Sequence, residues 1–413
     1  MQPTHALVWS LPFAGLVLSF ALIPLAAPRW WHRHESHVAL LWALALLIPR
    51  ALVLGPQAAA AEAWRHILAD YLPFIALIAA LYAAGGGVVL RGLGRGTPSG
   101  NVALLAAGTL IAGLIGTATA SMLLIHPLLR ANAHRRRRFH LVLAFILLVG
   151  NAGGGLSPLG PPLFLGFLRG VPFFWPLRNL GPAVGLIAAF VLAWVWVLDR
   201  HFSRGDPPPP PREPLRLRGG GNLALAVALG GTVLAEGLFP GPTLRVAGAP
   251  IPAGSFAGLG ACLLALTASA ALTPRAIRQA NDFSWKPLTD LAWFFLALFI
   301  TLSPVAASLP TSAAQPQTLF WLTGGLSALL DNAPSYLLAW NLAGNPTNGP
   351  ALTALSGGAV LFGGLTYLGN APNLAIRAIA AHRGTRMPSF LTYTAWATLA
   401  LGPALVVLGW MGG

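Results

Sequence analysis

One acidic side chain stands out because it lies well inside a long apolar stretch. Asp331 occurs within residues 317–344, where residues 330–335 read LDNAPS. An aspartate at the centre of a membrane helix costs about 2.5–3.5 kcal/mol, so such a residue normally faces a cavity and binds a cation or a proton. We predict this role for Asp331. The alternative is that its carboxylate caps the next half-helix, and the two roles can coexist.

Two other long apolar stretches are interrupted by nearly the same sequence. Residues 154–162 read GGLSPLGPP and residues 363–372 read GGLTYLGNAP. Proline removes an amide donor and glycine permits unwound backbone. Unpaired backbone survives in a membrane only where protein or a watery cavity covers it. The matching pair therefore predicts two broken helices around one central site. A proline kink that serves packing alone is the alternative.

Hydroxyl and amide side chains near these features are candidates to bind a small cation, because hard cations prefer oxygen ligands. Residues 116–121, which read GTATAS, lie in the middle of the apolar stretch 101–130. For any one threonine, a hydrogen bond to its own helix is the alternative. The predicted ion- or substrate-binding residues are Asp331, Asn332, Thr366, Asn370, Asn373, Ser157, Asn151, Thr117, Thr119 and Ser121. Within this set, a Na⁺ site is predicted at Asp331, Asn332, Thr366 and Asn370.

A proton path is predicted through Asp331, with Asp290, Asp70 and His126 as further candidates. Asp70 and Asp290 each open the third crossing of their half, where the helix dipole also favours a carboxylate. His126 could titrate near neutral pH. A packed, hydrogen-bonded histidine is the alternative reading of His126.

The composition shows what must surround these residues. Of 413 residues, 56% are hydrophobic and only 8% charged, with a mean hydropathy of +0.70. Soluble domains carry about a quarter charged residues, so lipid must be the main solvent. The net charge is +15, but the basic residues form short clusters between apolar runs, such as 135–138. That pattern is typical of cytoplasmic loops of membrane proteins and excludes a nucleic-acid partner.

The apolar runs predict ten membrane crossings, since a crossing helix needs about 20 apolar residues. If 101–130 and 317–344 enter and return on the same side, most of the 25 Lys and Arg residues fall in inside loops. We therefore predict two re-entrant hairpins, with both termini outside. The predicted crossings are 6–27, 38–54, 71–90, 139–168, 180–198, 222–239, 255–273, 288–309, 351–381 and 389–411.

A proline-rich segment divides the chain into two halves. Residues 199–221 contain Pro207–Pro211, a stiff run that cannot form helix and predicts a cytoplasmic linker. Residues 1–198 and 222–413 then each hold five crossings and one hairpin. Because five is odd, the second half begins on the opposite side of the membrane. The predicted fold class is an all-α polytopic membrane protein of two inverted-topology repeats.

Five segments resemble the bacterial citrate-transporter-like family, often labelled sodium/proton antiporters. This family belongs to the ion transporter superfamily, with dicarboxylate/sodium symporters and arsenite permeases. The resemblance implies an inverted-repeat fold around a central site, an elevator-like motion, a homodimer and a place in the bacterial cytoplasmic membrane. It also implies one cation site per repeat. The segments are 119–125 (TASMLLI), 127–132 (PLLRAN), 161–168 (PPLFLGFL), 330–337 (LDNAPSYL) and 367–373 (YLGNAPN).

Two positions depart from the family pattern. The family's first break reads Gly-Asp-Pro-Pro, whereas Gly160 here passes directly to Pro161 and Pro162. His126 stands where the family is expected to have arginine. The missing carboxylate puts the first-repeat cation site in question.

Sodium/proton antiport is the leading functional hypothesis, in which Asp331 alternates between a cation and a proton. The alternative is cation-coupled transport of citrate or another carboxylate. A passive channel would instead leak without counterflow. Neither paired aspartates nor a His-Glu-x-x-His helix occurs, so we predict no enzyme. No cofactor is expected beyond the transported Na⁺ or H⁺.

Overall fold

A computed structural model describes residues 3–209, 211, 213–246, 249–308 and 314–411 of the chain. Helix makes up 76% of it, in 18 helices, with little sheet. Within these described residues, nine helices are long and apolar enough to cross a membrane. A helix satisfies its own backbone hydrogen bonds, as is required in a bilayer core that has no water to bond to them. The chain is therefore an all-α, multi-pass membrane protein.

The helices of the first half carry the first candidate residues. A π-helical turn, Ile67–Tyr71, joins the third and fourth helices into one long element. The helices are α1 (Pro3–Ala26), α2 (Pro28–Leu54), α3 (Pro56–His66), α4 (Leu72–Gly86), α5 (Pro98–Ile115), α6 (Thr117–Ala131), α7 (Phe139–Leu148), α8 (Leu163–Leu168) and α9 (Trp175–Phe202).

The second half has the same number of α-helices. They are α10 (Gly220–Leu238), α11 (Ala253–Leu272), α12 (Arg275–Ala280), α13 (Lys286–Ser308), α14 (Pro316–Leu330), α15 (Asn332–Leu342), α16 (Pro350–Leu361), α17 (Ala371–His382) and α18 (Phe390–Met411).

Two short antiparallel ribbons accompany the helices. Strand β1 (Val89–Arg91) pairs with β2 (Arg216–Arg218), and β3 (Thr243–Val246) pairs with β4 (Ala249–Pro252). Strand β2 lies in the predicted linker 199–221, so the linker is tied back to the end of α4. Helix α9 runs to Phe202, and the first residues of the predicted linker are therefore helical.

The long helices match most of the predicted crossings, with differences at the breaks. The predicted crossings 139–168 and 351–381 are each divided, which leaves α16 too short to count among the nine. Helix α5 is long and apolar enough to count, although its stretch is predicted to re-enter. The ten-crossing topology and the sidedness of the termini stay predictions.

Seven helices form what we call the frame: α1–α4, α10, α11 and α13. Within it, α4 packs extensively against α10 and α11, while α13 packs against α1 and α2. The third long helix of each half thus packs against the first two of the other half. The frame is built from both halves. Among its described residues, the π turn is the one interruption within a long helix.

Helices α5–α9 and α14–α18 form what we call the central bundle. Helix α14 packs along α16, and α5 packs against the segment that follows α7. Helices α5 and α6 are joined by Gly116 alone, and α14 and α15 by Asp331 alone. In each pair the two helices also pack against one another, so each pair is a helical hairpin.

Candidate functional site

Two helices of the central bundle are broken where the sequence predicts it. Helix α7 ends at Leu148, a short 3-10 helix covers Ala152–Leu156, and α8 begins at Leu163. Helix α16 ends at Leu361 and α17 begins at Ala371. Proline and glycine prevent a continuous helix at both places. Each break leaves backbone groups without helical partners inside the protein.

Three buried asparagines join the two breaks to one another. The Asn151 side-chain amide donates to Asn373 Oδ1 at 2.8 Å. The Asn370 amide donates to Asn151 Oδ1 at 3.1 Å and to the Gly150 carbonyl at 3.0 Å. Asn151 and Asn370 are 2% and 3% exposed, and Asn373 is fully buried. They satisfy backbone that the breaks release, and they hold the two breaks side by side.

The second break is further held to the hairpin of α14 and α15. Thr366 Oγ1 donates to the Ala328 carbonyl at 2.5 Å, and Asn373 Nδ2 donates to the carbonyls of Gly363 and Thr366. Asn332 Oδ1 accepts from Ser327 Oγ at 3.4 Å. Thr366 and Asn373 thus already have protein partners. Ser327 was not among the predicted ligands, although its place next to LDNAPS gives a sequence signal.

Asp331 lies where two helices begin. Its Oδ1 accepts the Ala333 amide of α15 at 3.2 Å, and its Oδ2 accepts the Ala371 amide of α17 at 3.2 Å. A helix N-terminus carries partial positive charge and favours an anion. The carboxylate therefore binds two helix N-termini at once. Capping, which the sequence offered as an alternative role for Asp331, is present in the structure.

The backbone of Asp331 adopts a conformation that favours glycine. Its φ and ψ are 86° and 153°, and those of Gly116 in the first hairpin are 79° and 151°. Only glycine populates this region readily, and other residues are strained there by about 1–3 kcal/mol. The two hairpins therefore turn in the same way. A carboxylate is present at one turn and no side chain at the other.

A cavity of about 90 Å³ lies between the central bundle and the frame. Its apolar wall comes largely from α4, α13 and α17. Among the described residues that line it, Asp331 is the one charged side chain. Ser121 Oγ has no hydrogen-bond partner, although Ser121 is only 4% exposed. The polar and glycine residues of the lining include Gly116, Thr117, Ser121, Gly160, Asp331 and Asn370.

Several predicted ligands lie outside this lining and bond to backbone. Thr119 Oγ1 donates to the Leu81 carbonyl at 2.8 Å, and Ser157 Oγ accepts the Leu159 amide at 3.3 Å. The structure thus brings Asp331, Asn370, Thr117 and Ser121 to one cavity. It places Asn151, Asn373, Thr366, Ser157, Thr119 and Asn332 in the surrounding hydrogen bonds.

The other proton-path candidates do not line the cavity. Asp70 pairs with Arg169 at 3.0 Å and with His66 at 3.1 Å. Asp290 pairs with Lys286 at 2.8 Å. The His126 ring bonds through Nε2 to the Asn281 carbonyl at 3.0 Å. Their part in a proton path stays a prediction. Asp70 and His126 contact neighbouring loops, whereas the Asp290–Lys286 pair lies within α13.

The strain at Asp331 predicts a difference between two substitutions that remove the same carboxylate. Asp331→Gly relieves the strained φ, whereas Asp331→Ala keeps it. Glycine has more freedom in the unfolded chain, which offsets part of this relief. We therefore expect the free energy of unfolding of Asp331→Gly to exceed that of Asp331→Ala by about 1–2 kcal/mol. Thermal unfolding of both proteins in detergent measures this. A lower melting temperature for Asp331→Gly than for Asp331→Ala would show that the turn at position 331 carries no strain.

The sequence of the chain also identifies its family. No curated protein matches the chain. Residues 2–412 match the model of a family whose description reads "Putative citrate transport". Because the match spans nearly the whole length, the chain belongs to this family of membrane transport proteins.

Proposed function

We propose that this protein is a secondary active transporter that moves a small carboxylate together with a cation through the central cavity. One observation carries the proposal. A helix N-terminus without a side-chain cap, an unpartnered hydroxyl and a single carboxylate line the same cavity. The first two groups suit an anion and the third suits a cation.

The anion side of the proposed site is the start of α6. This helix begins after Gly116 with no side-chain cap, so its first amides have no internal anion. Ser121, one turn further along, offers a hydroxyl that nothing else uses. Helix N-termini bind carboxylates through their amides and dipole. The second hairpin supports a carboxylate site at the start of α6, because the Asp331 carboxylate already occupies the corresponding turn there.

The cation side is Asp331 itself. A substrate carboxylate beside Asp331 places two negative charges in a cavity whose described lining has no basic side chain. A cation or a proton is therefore needed to neutralise them. Asn370 lines the same cavity and offers an amide oxygen, whereas Thr366 and Asn332 are held in protein hydrogen bonds. We propose Asp331, with Asn370 nearby, as the place where the cation binds.

Alternating access is proposed to come from the two halves. Three features support an inverted repeat. The turns at Gly116 and Asp331 have the same conformation, the two breaks match, and α4 and α13 each pack against helices of the other half. Inverted repeats let a transporter exchange the conformations of its halves around a fixed site. The unwound segments supply polar backbone at the centre without exposing it to lipid.

Sodium/proton antiport is a second candidate, and the charge of the cavity favours it. One carboxylate can hold one Na⁺ or one proton in turn, and no basic residue in the described lining attracts an anion. Under this alternative, Asp331 would exchange the two cations and no carboxylate would be moved.

Transport by purified protein in sealed vesicles distinguishes the two candidates. We expect labelled citrate to accumulate when an inward Na⁺ or proton gradient is imposed. Asp331→Asn should reduce this accumulation at least tenfold, because the amide cannot neutralise a cation. Na⁺-driven proton movement without citrate uptake would support antiport. A citrate flux that depends on neither Na⁺ nor pH would contradict cation-coupled transport.

The anion side is tested by Ser121→Ala. A hydrogen bond to a charged group contributes about 1.5–3 kcal/mol, so its loss should raise the half-saturating citrate concentration roughly tenfold or more. Thr323→Val is the matched control, since Thr323 also carries a buried hydroxyl without a partner but does not line the cavity. An unchanged half-saturation in Ser121→Ala would remove Ser121 from the site.

A further inference from the structure

The first half-helix that follows a break ends in an arginine. Helix α8 stops at Leu168, Arg169 follows, and Gly170 then has a φ of 93°. The Val171 amide donates to the Gly166 carbonyl at 3.0 Å across this turn. This pattern is a Schellman termination, in which glycine takes the left-handed position.

The second half-helix ends in the same way. Helix α17 stops at His382, Arg383 follows, and Gly384 has a φ of 76°. The Thr385 amide donates to the Ala380 carbonyl at 2.8 Å. Arg169 and Arg383 therefore hold equivalent positions in the two halves. The shared features are an arginine followed by glycine at the end of the helix after each break.

Each arginine binds an aspartate that lies shortly before a helix of the frame. Arg169 Nη2 lies 3.0 Å from Asp70 Oδ1, and Asp70 belongs to the π turn that leads into α4. Arg383 Nη2 lies 2.9 Å from Asp282 Oδ2, and Asp282 lies in the turn before α13. Each pair thus joins the end of a broken helix to the start of the third long helix of its own half.

A histidine accompanies each aspartate. His66 Nδ1 is 3.1 Å from Asp70 Oδ2, and His382 Nδ1 is 3.8 Å from Asp282 Oδ2. The Arg383 guanidinium also donates to the Ala280 carbonyl at 3.3 Å. The two clusters therefore agree in composition, although His66 belongs to the helix before its aspartate and His382 to the helix before its arginine. By the predicted topology they lie at opposite faces of the membrane.

The hairpins, in contrast, contact the frame differently in the two halves. Helix α6 packs closely along α4, and a Cβ at Gly85 would lie 2.8 Å from the Thr119 Cα. The corresponding helix α15 makes only slight contact with α13. Part of the cavity lies on that side, where Leu288, Leu291 and Phe295 of α13 line it.

We propose that the pairs Asp70–Arg169 and Asp282–Arg383 are fixed anchors, about which the two hairpins move during transport. This inference rests on the proposed function. If two inverted halves exchange conformations, a contact that differs between the halves must change in each transport cycle. A contact that is the same in both halves is present in both end states. The ion pairs are the same in both halves, and the packing of the hairpins on the frame is not.

On this proposal the four charged residues are positioning residues that touch neither substrate nor cation. Their side chains are partly exposed, between 15% and 38%. Ion pairs of this exposure contribute little to the stability of a fold. They can nevertheless fix where the end of a helix sits. The two hairpins then move about two points, one in each half.

Covalent linkage of an anchor tests this directly. Cysteines replace Asp282 and Arg383 in a Cys262→Ala background, and a short bifunctional methanethiosulfonate reagent links them in vesicles through two reducible disulfides. Citrate transport in the linked protein should stay within about twofold of the unlinked protein. Linking Leu81→Cys to Thr119→Cys, which joins α6 to α4, should stop transport until the link is reduced. Transport that stops when the anchor is linked, and returns on reduction, would overturn the proposal.

A second measurement does not depend on the transported substrate. Ala118→Cys, at the start of α6 and within the cavity lining, reports access through its labelling by a water-soluble maleimide from either face. In otherwise native protein, Arg383→Gln should slow the labelling of this cysteine from either face about two- to fivefold. Exchange of the two charges, in the double variant Asp282→Arg and Arg383→Asp, should restore the labelling rate. Unchanged labelling in Arg383→Gln would contradict the anchor role. If citrate is not transported but the cysteine is labelled from both faces, the proposed substrate is wrong and the proposed anchors are retained.

Discussion

Backbone that leaves its helix inside a membrane must find partners within the protein, and this requirement organises the centre of the molecule. The breaks after α7 and α16 release carbonyl and amide groups that lipid cannot satisfy. Asn151, Asn370 and Asn373 supply the missing partners and join the two breaks. Glycine and proline therefore create the polar centre, and the asparagines make it stable. The cavity lies beside this cross-linked region, between the central bundle and the frame.

The two hairpins share one backbone turn but not one charge. Asp331 binds the N-termini of α15 and α17, at the cost of a backbone conformation that suits glycine. Gly116 takes the same turn without strain and leaves the start of α6 uncapped. A symmetric pair of turns thus gives an asymmetric site. We propose that the asymmetry places a cation near one turn and a carboxylate near the other.

The all-α membrane fold, the two breaks and the place of Asp331 beside a cavity could be predicted from the sequence, because each leaves a local signal in an apolar run. The ion pair of Lys286 with Asp290 was not predicted, although the spacing of four residues on a helix is a sequence signal for it. The contacts between Asn151 and Asn373 could not be predicted, since 222 residues separate them. Nor could composition decide between Thr119 and Ser121. Two residues apart on a helix, they point in nearly opposite directions, and only packing determines which one meets the cavity.

The proposal depends on linkage between an anion and a cation that share one cavity around Asp331. Binding of citrate to the purified protein in detergent, measured by calorimetry at increasing Na⁺ concentration and at several pH values, tests that linkage most directly. We predict that added Na⁺ or added protons strengthen citrate binding to the native protein and have little effect on Asp331→Asn. Citrate affinity that is independent of both cations in the native protein would contradict the account.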